Sequence, residues 1–268
     1  MNLIFLSILL LVVVFAAYWG YFWICQNRIL FPTHKLKQSE PLSVETFWLN
    51  FEWGKTEALF LPGSGEGALP TVIVAHGQMG LIDGWYERLS TLQNQGMNCL
   101  LVEFPGYGRS EGVCSVQKLK ETFCAAYDWA IAQPSVDASQ IIGLGRSMGG
   151  GVITQLAKLR TLRCLWLMST FTSLRPFIAK KWIPPVLLND SLNTLTTLRQ
   201  LDIPCLILHG ASDDVIPAEH SRVLANVVSE SQLMMEPGDH EHCPADWERF
   251  LTDAVEYYQK LVAAPSKH

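Results

Sequence analysis

An α/β architecture with a mostly parallel central sheet flanked by helices is what this sequence predicts, on three observations. Short apolar runs alternate with helix-length segments from residue 71 to residue 261, the pattern left by right-handed β-α-β units. The chain has 268 residues, 49% of them apolar and 17% charged, enough for one large domain with a sizeable core. The pentapeptide Gly145-Arg146-Ser147-Met148-Gly149 directly follows the apolar run Ile141-Ile142-Gly143-Leu144, where a sharp strand-to-helix turn would hold a serine hydroxyl out at the end of a sheet.

The first element lies ahead of that alternation. Residues 1–27 carry no charged side chain, and residues 3–25 are dominated by Leu, Ile, Val, Phe, Ala, Trp and Tyr. As a helix, residues 3–25 would be about 34 Å long, which matches a bilayer core. A single-pass transmembrane anchor is therefore expected. A cleaved secretory signal fits poorly: no basic residue precedes the apolar stretch, and Ala16-Ala17 run straight into Tyr18-Trp19. A buried core helix would show a polar face. Tyr18, Trp19, Tyr21, Phe22 and Trp23 form the expected aromatic belt, and Arg28, Lys35 and Lys37 follow while no Lys or Arg precedes. By the positive-inside tendency the bulk of the protein faces the cytoplasm. Residues 28–43 then read as a juxtamembrane linker and residues 44–268 as the folded domain.

Within that domain, residues 44–50 and 56–61 alternate apolar with polar around Trp53-Gly54-Lys55, which reads as a hairpin. Strands are expected at 71–75, 98–102, 140–144, 164–168, 204–208 and 232–235, with helices at 85–94, 116–132, 147–159, 218–228 and 245–261. Ser147 then stands at the C-terminal end of the third parallel strand, the edge at which open α/β sheets bind ligands. Residues 169–202 break the alternation and carry apolar side chains without strand periodicity. A long insertion of this kind reads as a small lid.

Composition removes several function classes. The net charge is −5 and no basic patch is present, so nucleic acid is not an expected partner. The seven cysteines are scattered with no Cys-x-x-Cys spacing, which argues against a disulfide framework and a zinc site. Cys99, Cys164 and Cys205 lie in strand-like runs, where a small buried thiol is expected.

A serine needs a base, and the base an orienting carboxylate. Asp213 and Asp214 follow the strand 204–208, and His240 lies in the loop after the last strand with His242 close by. The order serine, aspartate, histidine is that of one fold built around such a turn. His240-Glu241-His242-Cys243 lacks partner ligands elsewhere, so no metal is assigned to it.

Over residues 44–261 the chain resembles the α/β-hydrolases, in particular small-lid, membrane-anchored serine hydrolases of the esterase- or peptidase-like kind. The resemblance selects Asp213 over Asp214 by its spacing from Gly210 and Pro217, and His240 over His242. His76-Gly77-Gln78-Met79-Gly80 is similar to the family's oxyanion segment, which implies backbone N–H donors at Gln78 and Met148. The glycine-rich turn 103–112 matches a structural turn of the family, although Glu103-Phe104-Pro105 and Thr122 depart from its usual residues.

The expected function is hydrolysis of carboxylic esters or thioesters with an apolar acyl part. Ser147 would be the nucleophile, His240 the base and acid, and Asp213 the orienting acid, with no cofactor. Phe171, Phe177, Trp182 and Leu187 in the lid are candidates for an acyl site, or else for lid packing and bilayer contact. A serine rather than an aspartate at the turn argues against epoxide-hydrolase and dehalogenase chemistry. Peptide or amide cleavage is the nearest alternative, and a catalytically silent scaffold that binds a lipid or partner protein is the alternative of another class.

Overall fold

The computed structural model describes residues 3–36 and 44–264. Residues 37–43, with the Lys37 invoked above, and residues 265–268 lie outside the described residues.

The chain opens with helix α1, Leu3–Leu30. Residues 3–18 are exposed, but Phe22, Gln26 and Leu30 are buried against the body. Helix α1 thus runs past the expected end of the anchor at residue 27, because the body covers one face of its last turns. Gln26 secures that face: its Nε2 donates to the Leu187 carbonyl at 3.2 Å and its Oε1 accepts from the Asn189 N–H at 2.9 Å. Further up, the Tyr18 hydroxyl donates to the Lys181 carbonyl and the Trp19 Nε1–H to the Trp182 carbonyl, both at 2.9 Å.

The hairpin forms as expected from β1, Phe47–Phe51, and β2, Gly54–Leu61. Then come β3 (Leu69–Ala75), α2 (Asp83–Tyr86), α3 (Ser90–Asn94), β4 (Asn98–Val102), α4 (Val116–Ile131), β5 (Val136–Arg146) and α5 (Met148–Leu159). They are followed by β6 (Cys164–Met168), α6 (Arg175–Ala179), α7 (Thr194–Leu198), β7 (Cys205–Gly210), α8 (Glu219–Ala225), β8 (Ser231–Glu236) and α9 (Trp247–Ala263). All eight strands form one sheet in the order β1-β2-β4-β3-β5-β6-β7-β8. Only β1, β2 and β4 meet antiparallel, and β4 onward through β3 to β8 the pairing is parallel.

Helix faces follow sequence period. In α4 the buried Leu119, Thr122, Phe123, Ala126, Tyr127 and Ala130 recur at three- and four-residue steps, and Ser115 caps the start by accepting the Lys118 N–H at 3.3 Å. Helices α4, α5 and α8 cover one face of the sheet and join a cluster that includes Phe22, Phe171 and Leu198. Helices α2, α3 and α9 cover the other, with Trp85, Leu92, Phe250 and Leu251 packed on Leu144 and Trp166. Cys99, Cys164 and Cys205 are fully buried in strands.

Two boundaries differ from expectation. Strand β5 begins at Val136 rather than near 140, since Val136 pairs with Leu69 ahead of an irregularity in the β3 register. The expected helix 85–94 is broken into α2, a 3-10 turn at Glu87–Leu89 and α3, yet Trp85, Leu89 and Leu92 still face the core. The chain passes from β3 to its neighbour β4 on one side and then crosses back to β5 on the other side of β3. That reversal of strand order opens a crevice at the carboxyl ends of β3 and β5.

Candidate active site

Ser147 sits in that crevice, the single residue between the end of β5 and the start of α5. Its backbone has φ 53° and ψ −116°, a left-handed conformation that costs a side chain-bearing residue on the order of 1–3 kcal/mol. The surroundings impose it. The Ser147 N–H donates to the Met168 carbonyl and the Thr170 hydroxyl donates to the Ser147 carbonyl, each at 2.8 Å. Glycine is required on both sides: a Cβ on Gly145 would strike the Gly149 carbonyl, and one on Gly149 would strike the Ala75 carbonyl.

His240 reaches this serine from the loop after β8. Its Nε2 lies 3.1 Å from the Ser147 Oγ, and its Nδ1 lies 2.7 Å from the Asp213 Oδ2. A carboxylate only accepts, so Nδ1 carries a proton and Nε2 of the neutral ring is free to accept from the serine hydroxyl. Asp213 is buried just past β7, and its Oδ1 accepts the N–H groups of Val215 and Ile216 at 3.0 and 2.7 Å. Burial by itself would raise the Asp213 pKa, but hydrogen bonds from His209, then His240, then the Ile216 N–H outweigh it and hold the carboxyl below its ordinary range. Asp214 is exposed, and His242 turns outward onto Asp239 at 2.8 Å.

His209, near the end of β7, is a second histidine against Asp213. Its Nε2 lies 2.8 Å from the Ile216 carbonyl and 3.1 Å from the Asp213 Oδ2. Both are acceptors, so Nε2 carries the proton and Nδ1 accepts the Ser221 hydroxyl at 2.6 Å. Asp213 is therefore gripped from two sides. The His209-Gly210 dipeptide at the strand end was the available signal, but nothing in it pointed to the aspartate.

The segment after β3 forms the wall facing the serine. A side chain on Gly77 would come within 3.6 Å of the Ser147 Cβ, so the backbone there approaches closely because glycine allows it. His76 anchors the segment: its Nδ1 donates to the Gly77 carbonyl at 2.8 Å, and one further proton lies between its Nε2 and the Glu103 Oε1, 2.6 Å away. Glu103 also accepts the N–H groups of Ile82 and Phe104. The departure at 103 thus has a local reason, since the carboxylate satisfies the buried imidazole. Gln78 lines the crevice, while its side-chain Nε2 donates to the Leu30 carbonyl at 2.6 Å. Met148 opens α5, and an N–H in the first turn of a helix has no acceptor within it.

Ser147, His240 and Gln78 border a cavity of about 720 Å³. Leu81, Trp85, Val215 and Trp247 supply apolar wall, and Lys35, Arg88 and Arg146 supply positive charge. Lys35 and Leu36 come from the expected linker, which here is part of the cavity wall rather than a spacer. The lid candidates are corrected by this geometry: Phe171, Phe177, Trp182 and Leu187 border no part of the cavity. Phe171 is buried in the core, Phe177 stacks on His220 at 5.4 Å, and Trp182 is 79% exposed. Leu187 is half-buried, and its carbonyl is taken by Gln26. Residues 169–202 fold back onto α1, α5 and α8 instead of over the mouth of the crevice, as the Gln155 Nε2 to Thr197 Oγ1 and Thr172 N–H to His220 bonds illustrate.

Sheet order, the crevice and the sharp strand-to-helix turn at Ser147, a nucleophile elbow, define the class. The chain belongs to the α/β hydrolase fold family, whose family model, described as alpha/beta hydrolase fold, matches residues 70–183. Its relatives include Rv2307c of Mycobacterium tuberculosis, 31% identical over 201 residues that make up 73% of this chain and 72% of that one. YfhR of Escherichia coli is 28% identical over 229 residues, 82% of this chain and 80% of that one. Among solved structures, Est1E from Butyrivibrio proteoclasticus with bound ferulic acid superposes with a TM-score of 0.68 at 20% identity, over 81% of this chain and 100% of that chain. At that identity the likeness is one of fold.

Proposed function

We propose that this protein is a serine hydrolase, anchored in a membrane by α1, that cleaves carboxylic esters or thioesters through an acyl-enzyme intermediate. The observation that carries the reading is the unbroken line of hydrogen bonds from Ser147 through His240 to Asp213 at the edge of a cavity. Ser147 Oγ attacks the acyl carbonyl while its proton passes to His240 Nε2, and Asp213 stabilises the imidazolium that forms. The N–H groups of Gln78 and Met148 receive the oxyanion, a contribution of about 3 kcal/mol per donor in such sites. The imidazolium then protonates the departing alcohol or thiol. Water, deprotonated by His240, attacks the acyl-serine and releases the acid, restoring the Ser147 hydroxyl.

Acyl contacts in this reading fall to Leu81, Trp85, Val215 and Trp247, not to the lid. Membrane anchoring is supported by the exposed apolar length of α1 and by Trp182 and Val186, both exposed beside its aromatic belt. Removal of α1 as a signal would uncover the body surface that buries Phe22, Gln26 and Leu30.

The reaction is tested by labelling the full chain with a fluorophosphonate probe. Wild type should label, Ser147→Ala should not, and hydrolysis of p-nitrophenyl esters by Ser147→Ala should fall by about 10⁴-fold or more. Equal labelling of the two sinks the proposal. An acyl-thioester and a peptide amide in the same panel place the reaction: the amide is expected to be the slowest substrate.

A further inference from the structure

Positive charge beside Ser147 is not balanced within the cavity. Arg146 lies inside the elbow; its Nη2 donates to the His240 carbonyl at 2.5 Å, and its Nε–H is buried without an acceptor. Its nearest carboxylate, Glu241, stands 3.8 Å away and is 74% exposed at the rim. Arg88 rests over the Trp247 ring, 4.7 Å from its centroid, and has no carboxylate partner among the described residues. Asp83, the other acid on the wall, shares the Arg109 guanidinium with Glu57, at 2.9 and 2.7 Å respectively, so the wall still sets Lys35, Arg88 and Arg146 against only two carboxylates, Asp83 and Glu241. Partial burial and then repulsion from Arg146 lower the Arg88 pKa. Arg88 is exposed to solvent and Arg146 is offset only by the exposed Glu241, so an anion bound between the two guanidiniums would gain charge-assisted contacts from both. Lys35 adds a third cation from the segment after α1.

We propose that the substrate is an ester carrying an anionic group, a carboxylate or a phosphate, which Arg88 and Arg146 hold while the apolar wall of Leu81, Trp85, Val215 and Trp247 takes the hydrocarbon. This rests on the hydrolase reading above for the reaction, but the anion site itself is measured by binding. The probe is hexyl phosphate, titrated by calorimetry against the full-length Ser147→Ala protein in zwitterionic nanodiscs. It should bind about 10-fold or more tightly than its neutral dimethyl ester. The preference should disappear in an added Arg88→Gln, return in part in Arg88→Lys, and weaken as salt is raised. Absence of binding, or a preference that survives Arg88→Gln, overturns the proposal.

Turnover by wild type identifies what carries the charge. A 1-acylglycerol 3-phosphate is compared with the 1-acylglycerol for a lipid headgroup, and p-nitrophenyl succinate with p-nitrophenyl butyrate for a soluble acid. Faster cleavage of the anion in either pair supports the proposal, and equal cleavage within both pairs overturns it. Binding without fluorophosphonate labelling would instead sink the hydrolase reading and leave the anion site standing.

Discussion

At the scale of single residues, Asp213 decides how the site responds to acid. Its carboxylate faces His240 at 2.7 Å, His209 at 3.1 Å and the N–H groups of Val215 and Ile216. These donors favour the ionised form and depress its folded-state pKa below the ordinary 3.8. The sign follows from linkage: the stabilisation is fully present above about pH 3.8 and is lost as pH falls through the lower folded value. The gap in thermal midpoint between wild type and Asp213→Asn should therefore be largest near neutrality and begin to narrow as pH is taken from about 5 down to about 3, with full convergence only at still lower pH. A gap that stays constant across that range would contradict the role assigned to these donors. Local turn chemistry brought Ser147 and the pairs Asp213/Asp214 and His240/His242 into view, and the family resemblance chose within each pair. His209 and Glu103 were missed as partners for the opposite reason: each acts through a contact to a residue on another segment, which no local pattern records.

At the scale of elements, the tie between α1 and the segment after β3 is the contact with most consequence. The Gln78 side chain takes the Leu30 carbonyl, one of the last-turn carbonyls of α1 that have no partner within the helix, while the Gln78 N–H is an oxyanion donor in our proposal. Gln78→Ala keeps the N–H but frees the segment. We expect kcat to fall about 10-fold with KM little changed, since a misplaced donor weakens the transition state more than the bound ester. Steady-state kinetics on a p-nitrophenyl ester check this, and a change in KM alone would speak against positioning. Strands β4 and β6 were legible to the residue because each is a five-residue run buried throughout. The early half of β5 was not, because Asp137, Ser139 and Gln140 are polar and none of residues 137–140 is buried. The apolar lid residues were read as a pocket, but hydrophobicity gives only the tendency to be buried and not against what.

At the scale of the whole molecule, the cavity is assembled from distant parts of the chain: the segment after α1, the loop after β3, the elbow, the loops after β7 and β8, and the start of α9. Such convergence is set by sheet order, which is why Arg88, Trp247 and Lys35 could not be placed together from sequence. The charge asymmetry around α1, with Arg28 in its last turn, Lys35 after it and no Lys or Arg before, puts the body on the cytoplasmic side in our reading. Protease added outside sealed right-side-out vesicles should leave the body intact and digest it only after the vesicles are opened; digestion in intact vesicles would reverse the orientation. Lys35 and Leu36 on the cavity wall bear on how the protein is handled at the bench. A fragment trimmed to begin at the hairpin, the natural choice for easy purification, would lack the prop under Gln78 and one side of the binding chamber. Selectivity measured on such a fragment would describe a wider, less cationic chamber than that of the longer chain.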